Sequence, residues 1–413
     1  MRRLLIYILF SIVFLSCSKE EEVYTPSDTP LERGAAEQVT LVYFMGTSLK
    51  YYYNLNISDA VDAVGGGALG QYGRLYYFIP SSSTKGALYE LIQNEDWSTT
   101  KRLVSEFSNF PSINRSSLTE VITMVNDDVE WSSQSQTMNL MLSSHATGWV
   151  LDTSEAYSLR NSTIMISSDG GGVGYMPISR YMGASSDGVI NISELEKSLS
   201  ESGVNFGFLL FDACYMSSIE ALYRLRDSAD YIIASPCEVM GNGFPFERLL
   251  SQMFENNGRT YDLEGICDDY YTYYRDGYGG DIKSACVAVC VTSELENLAE
   301  AVRATTRESV NKSDIQGYSY YNIYPFYDLK SYIYHACSED DYNNFTAQLE
   351  LTFPSKYLRY TDSFFVSYYS WYMRDIMDGD LYSGVTTSEP VIYNNWTDEP
   401  WAIAVTISSG DED

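Results

Sequence analysis

Positive charge is what this chain has least of. Its 413 residues include 26 Lys or Arg against 56 Asp or Glu, a formal net charge of -30. Such a balance argues against nucleic acid and anionic membrane surfaces as partners, because both are polyanions. It suits basic substrates. Histidine is scarce, with two residues, His145 and His335, so the search for a general base has two starting points. No C-x-x-C pair and no His-rich tract exists, which argues against a structural zinc site. No repeat of fixed period marks a solenoid. The apolar run Leu4 to Leu15 is shorter than the ~20 residues that a membrane-spanning helix needs.

What is present begins with that run. Arg2 and Arg3 precede it and Ser16-Cys17 follow it, the pattern of a signal peptide. The Phe14-Leu15-Ser16-Cys17 end resembles a bacterial lipobox, which implies cleavage before Cys17 and a lipid on its sulfur. It departs from the commonest form at the positions before Ser16, so other signal-peptide readings stay open. Ser18-Lys19-Glu20-Glu21-Glu22 resembles the acidic signal that sends Bacteroidetes lipoproteins to the outer surface; it also reads as a solvated tether. Residues 17–37, with Pro26, Pro30 and Gly34, read as a flexible linker. The chain is long enough for two domains or one large elaborated one. Its 37 tyrosines suit sheet faces and binding surfaces.

Periodicity predicts alternating strands and helices. Val39–Phe44 reads as a buried strand, Asn56–Val64 as a helix ended by Gly65-Gly66-Gly67, and Leu75–Ile79 as a strand stopped by Pro80. Leu88–Gln93 is a further apolar piece, and a helix runs from Ser117 to about Val125. A third strand, Thr137–Leu142, ends in Ser144-His145-Ala146. The stretch 150–204 is loop-like, with a glycine-rich segment that lacks the flanking elements of a phosphate loop, and closes with a helix from Ile192 to about Ser200. Strands follow at Phe206–Phe211, Tyr231–Ala234 and Lys283–Val291, then a helix from Glu294 to about Arg307. Cys286 and Cys290 share one strand face and read as core thiols. Beyond Val310 the chain is more polar, with helix-like Leu329–Ala336 and Phe345–Leu351 and strand-like Ala402–Ile407.

The chemistry gathers at two strand tips. Polarity changes abruptly at Asp212-Ala213-Cys214, and Met216, Ile219, Leu222, Tyr223 and Leu225 follow helical spacing, which puts Cys214 between a strand tip and a helix N-terminus. That position favours a thiolate. His145 also follows a buried strand, whereas His335 sits inside a predicted helix and reads as structural or surface. Cys and His on two strand tips make a nucleophile and a general acid for amide cleavage. For Cys214 alone, the competing reading is a buried structural thiol.

LMLSSHATGW followed by FGFLLFDACYMSSIEALYRLRDSADYIIASPCEVMGNGFPF resembles the clostripain family of cysteine peptidases, in the larger group of caspases, gingipains and legumain. The opening VTLVYFMGTSLKYYYNLN fits as well, so the likeness covers roughly 39–246. It implies an α/β fold, a caspase-like three-layer sandwich with a mostly parallel central sheet. It implies a dyad of Cys214 and His145, and an oxyanion hole from the backbone N–H groups of Cys214 and Ala146, the latter where the family usually has Gly. Asp212 becomes the floor of a pocket for a P1 Arg or Lys, although a strand-end cap is its plain alternative. Asn242 stands where the family supplies a second acid. Self-cleavage is expected after Arg160 or Arg180. Some relatives require calcium, and Asp152, Asp169 and Asp187 lie in the same loop, but no spacing there defines a calcium site and the chemistry itself requires no cofactor.

The expected organisation is thus a signal peptide 1–16, a tether 17–37, a peptidase domain 38–310 and a C-terminal α+β region 311–413. The expected protein is an exported endopeptidase, lipid-anchored through Cys17 to the bacterial outer membrane, acting on peptides with a basic P1 residue and not on nucleic acid. Ala146, Asn242 and the Tyr-rich C-terminal part also fit an inactive surface lipoprotein that keeps the fold to bind protein or glycan.

Overall fold

A computed structural model describes residues 29–110, 117–146, 148–149, 190–318, 326–366, 372–390 and 396–406. Nine strands form one mixed sheet in the order β10-β8-β7-β6-β5-β1-β2-β3-β4. In chain order these are β1 Gln38–Phe44, β2 Gly73–Ser82, β3 Lys85–Gln93, β4 Thr99–Phe107, β5 Thr137–Ser143, β6 Phe206–Asp212, β7 Ala229–Ala234 and β8 Cys286–Val291; a short β9, Tyr327–Asp328, lies outside the sheet, and β10 is Arg359–Tyr360. The five central strands β2, β1, β5, β6 and β7 are parallel, and β3, β4, β8 and β10 add antiparallel edges. Every residue of β1 and β6 is buried, as parallel strands covered on both faces require.

The strand order also assigns the helices. From β1 to β2 the chain steps one way across the sheet, and from β5 through β6 to β7 it steps the other way. Right-handed crossovers therefore place helix Lys50–Gly65 on one face and helices Ile192–Ser202 and Ile219–Arg224 on the other. Packing agrees. Lys50–Gly65 lies against Phe246–Met253, which meets Leu263–Arg275, while Leu118–Asp128, Ile192–Ser202, Ile219–Arg224, Pro400–Val405, Leu295–Ala304 and Glu339–Thr352 form a second contiguous set. The expected α/β three-layer architecture is the observed one. The step direction reverses between β1 and β5, where open sheets place their sites at the carboxyl ends of strands.

Several elements differ from the sequence-based expectation. Pro80 does not stop β2, because β1 pairs only as far as Phe78 and no neighbour on that side needs the missing N–H. Strand β4 has no counterpart in the apolar pattern because it is a half-exposed edge carrying Lys101, Arg102 and Glu106, the charges that protect edges. Of Ala402–Ile407, expected as a strand, Ala402–Val405 lies in helix Pro400–Val405, and Ile407 lies outside the described residues: Pro400 occupies the first turn, Trp401, Ala402 and Val405 are buried, and Ile403 faces out. The described end of the expected tether, 29–37, is docked rather than flexible. Leu31 N–H donates to the Gln93 carbonyl, Arg33 pairs with the buried Glu90, and Arg259 pairs with Glu37. Cys17 and the rest of 1–28 lie outside the described residues.

Buried side chains from both sides of residue 310 make one core. Glu220 shows how they are joined. Its carboxylate, wholly buried at the start of helix Ile219–Arg224, accepts the Ser388 N–H at 2.8 Å and the Trp396 indole N–H at 3.1 Å. Asp328 does the same for the C-terminal segment itself, accepting the Ser383 N–H and hydroxyl and the Tyr318 hydroxyl.

Candidate active site

Strands β5 and β6 run side by side in parallel with Ser143 opposite Asp212. Two residues beyond each partner stand His145 and Cys214, so the pairing brings the two chemistry-bearing residues to the same level at the same end of the sheet. Both are buried, Cys214 completely and His145 with 6% of its surface exposed. Beside them, Gly148 adopts a φ of +61° in the histidine loop, and a Cβ there would stand 2.7 Å from the Tyr215 carbonyl oxygen and 3.0 Å from the Phe326 ring. The loop after His145 therefore lies directly on the turn after Cys214. That turn is tight: Tyr215 has a φ of +58°, its N–H donates to the Cys237 carbonyl, its hydroxyl meets Glu238 at 3.1 Å, and its ring stacks on Phe326 with centroids 4.8 Å apart.

The expected helix N-terminus behind the thiol is not where periodicity put it. The helix starts at Ile219, and Ser218 caps it through the Ala221 N–H. Cys214 is thus separated from the dipole by a non-helical turn, because Met216 and Ser217 pack toward the sheet and Ser217 N–H bonds to the Ser235 carbonyl. The donor that reaches the sulfur comes from another loop: the Val239 N–H lies 3.3 Å from Cys214 Sγ. Among the described residues with positive φ, Ala146 is absent, so alanine in place of glycine carries no left-handed strain there.

Asp212 is fully buried at the end of β6. Its Oδ2 accepts the Ser143 hydroxyl at 2.7 Å and its Oδ1 accepts the Phe244 N–H at 3.3 Å. Asn242 sits on the neighbouring loop, where its amide donates to the Gly279 carbonyl at 3.2 Å. Phe244 is fixed against Tyr270 by stacking at 4.1 Å, and Tyr274 donates to the Gly243 carbonyl at 2.7 Å. His335 is exposed on helix Leu329–Ala336, distant in chain and element from this cluster.

Sequence reading missed Ser143, Val239 and Phe326. The first two lie in the quoted blocks, but nothing in a linear pattern says which hydroxyl or amide turns inward. Phe326 lies 111 positions beyond Tyr215 in the chain, and only folding brings it there. Cys237 adjoins the site, its carbonyl accepting the Tyr215 N–H. Burial pushes the thiols of Cys237, Cys267 and Cys290 up. At Cys286 burial acts in the same direction, but hydrogen bonds from Cys237, Tyr382 and the Thr361 backbone outweigh it.

Among the described residues no group of three or more His, Cys, Asp or Glu side chains is placed to hold a metal ion. Asp152, Asp169 and Asp187, and the expected cleavage positions Arg160 and Arg180, lie outside the described residues.

Known proteins share this fold. The chain superimposes on a secreted C11 cysteine protease from Bacteroides thetaiotaomicron with a TM-score of 0.74 at 26% identity, covering 90% of this chain and 100% of that one. An inactive zymogen C11 protease from Parabacteroides distasonis gives 0.70 at 26% identity, with coverage of 91% and 100%. A further Bacteroides thetaiotaomicron C11 protease, solved with an irreversible peptide inhibitor, shares the fold at 22% identity, a TM-score of 0.70 and coverage of 90% and 99%. No curated protein sequence matches the chain. The family model for clostripain matches residues 82–350, well over half of the sequence and spanning both strand tips. The chain therefore belongs to the clostripain family of cysteine peptidases.

Proposed function

We propose that the protein is an endopeptidase cutting after Arg or Lys, with Cys214 as nucleophile and His145 as its acid–base partner. The observation that supports this most is the Ser143–Asp212 pairing, which levels the two residues on adjacent parallel strands. The Cys214 sulfur adds to the scissile carbonyl and His145 takes the thiol proton. The backbone N–H groups of Cys214 and Ala146 stabilise the oxyanion. Collapse breaks the C–N bond, the histidine protonates the leaving amine, and water releases the acid from the thioester. Asp212 receives the basic P1 side chain, with Asn242 on the adjoining wall.

Cys214 and Asp212 are wholly buried, so substrate must displace something to reach them. This favours a latent single chain opened by a cut after Arg160 or Arg180. Anchoring through lipid on Cys17 to the outer membrane completes the reading, and the secreted relative supports export. Hydrolysis of fluorogenic peptides with Arg, Lys or Asp at P1 by wild type and Cys214→Ala tests it, with and without calcium. Turnover of the basic pair that vanishes in Cys214→Ala is expected. Absence of Cys214-dependent turnover on all three would sink the peptidase reading in favour of an inactive binding protein, and full activity of an intact single chain would remove the self-cleavage step.

A further inference from the structure

We infer that Ser143 sets the choice between lysine and arginine at P1, in favour of lysine. The inference rests on the reading of Asp212 as the acceptor of the basic side chain. Ser143 is the last residue of β5, lies directly opposite Asp212 and is itself fully buried. Its hydroxyl holds Oδ2 of Asp212 at 2.7 Å, while the Phe244 N–H, 3.3 Å away, engages Oδ1. Each carboxylate oxygen thus already accepts a hydrogen bond from the protein.

A guanidinium binds a carboxylate best as a fork, with two parallel N–H donors on its two oxygens. Here both halves of that fork must share an acceptor already in use. Arginine also brings five donors in a rigid plane against three rotatable ones on lysine. The second wall offers less for the surplus than a second carboxylate would, since Asn242 is neutral, its NH2 donates to the Gly279 carbonyl, and only its side-chain oxygen is an acceptor. A buried donor left unmatched weakens binding more than a matched one strengthens it. A compact ammonium needs one oxygen of Asp212 and orients freely toward it. The charge of Asp212 selects a basic residue, and Ser143 decides which.

The test measures kcat and KM on two peptides that differ only in Lys or Arg at P1, using the full chain as wild type, Ser143→Ala, Ser143→Thr and Ser143→Cys. Wild type should favour lysine by about fivefold or more in kcat/KM, the range that one pocket contact supplies. Ser143→Ala frees an Asp212 acceptor and should lower that ratio at least about threefold, mainly through a fall in KM for the arginine peptide, as the gain of a binding contact requires. Ser143→Thr keeps the hydroxyl and should keep the ratio. Where alanine compromises folding, Ser143→Cys preserves volume with a weak donor and should shift the ratio the same way. A ratio unchanged in both, or a wild type that prefers arginine, overturns the role of Ser143. Turnover of both peptides unaffected by Asp212→Asn instead overturns the reading of Asp212 on which it rests.

Discussion

Glu220 illustrates how much a single residue carries. In the sequence it is one glutamate in a short amphipathic stretch; in the fold it is fully buried, and burial pushes its carboxyl up to about 7 despite the Ser388 and Trp396 donors. A carboxyl whose folded pKa lies above its unfolded value of 4.5 stabilises the fold below that value and loses the contribution as pH rises toward 7. A shift of this size corresponds to roughly 3 kcal/mol across the window. Thermal unfolding of wild type should therefore show a Tm that declines from pH 4.5 to 7 relative to Glu220→Gln, which removes the titration and keeps one acceptor. Parallel Tm profiles for the two proteins would contradict the assignment.

At the level of elements, two strand ends and two loops make the site. Gly148 is the point at which the loop after His145 meets the turn after Cys214. Alanine there must accept a φ of +61° and push against the Tyr215 carbonyl and Phe326. We expect Gly148→Ala to destabilise the protein by about 1–3 kcal/mol and to lower kcat/KM at least about tenfold, since small misplacements of catalytic groups are costly. Kinetics on the preferred peptide together with chemical denaturation separate the two effects; a loss of stability with unchanged kcat/KM would mean that the loop contact does not position His145. The strand tips were legible in sequence because buried parallel strands are unbroken apolar runs that end abruptly at polar residues, as Phe206–Phe211 does at Asp212. The helix after Cys214 was misplaced because Met216 has the right spacing for a helix but packs in a turn whose backbone bonds run to the β7 loop. Strand β4 and helix Pro400–Val405 were misread for opposite reasons, the one being an edge with little apolar content and the other too short for periodicity to separate helix from strand.

For the whole molecule, the C-terminal segment is part of what holds helix Ile219–Arg224 in place. Residues beyond 310 supply the donors to Glu220, the Trp401 ring against Tyr223 at 5.5 Å, and strand β10, whose Arg359 pairs with Asp268 and Glu264. A chain truncated after Val310 would leave a buried carboxylate without its partners and the Tyr223 face uncovered. We expect residues 29–310 alone to lack a cooperative thermal transition and to bind a hydrophobic dye. A sharp two-state melt of that fragment would show that the N-terminal portion folds by itself.

The α/β class, the family and the candidate strand-tip Cys and His were legible in one dimension, because hydrophobic runs and the polar residues that end them are written locally. The sheet order, the meeting of Ser143 with Asp212, the Val239 amide at the sulfur and the Phe326 ring over Tyr215 were decided only by tertiary structure. They depend on strand register and on contacts between positions far apart in the chain, and a hydroxyl or an amide carries no mark in one dimension of the carboxylate or thiol it will face in three.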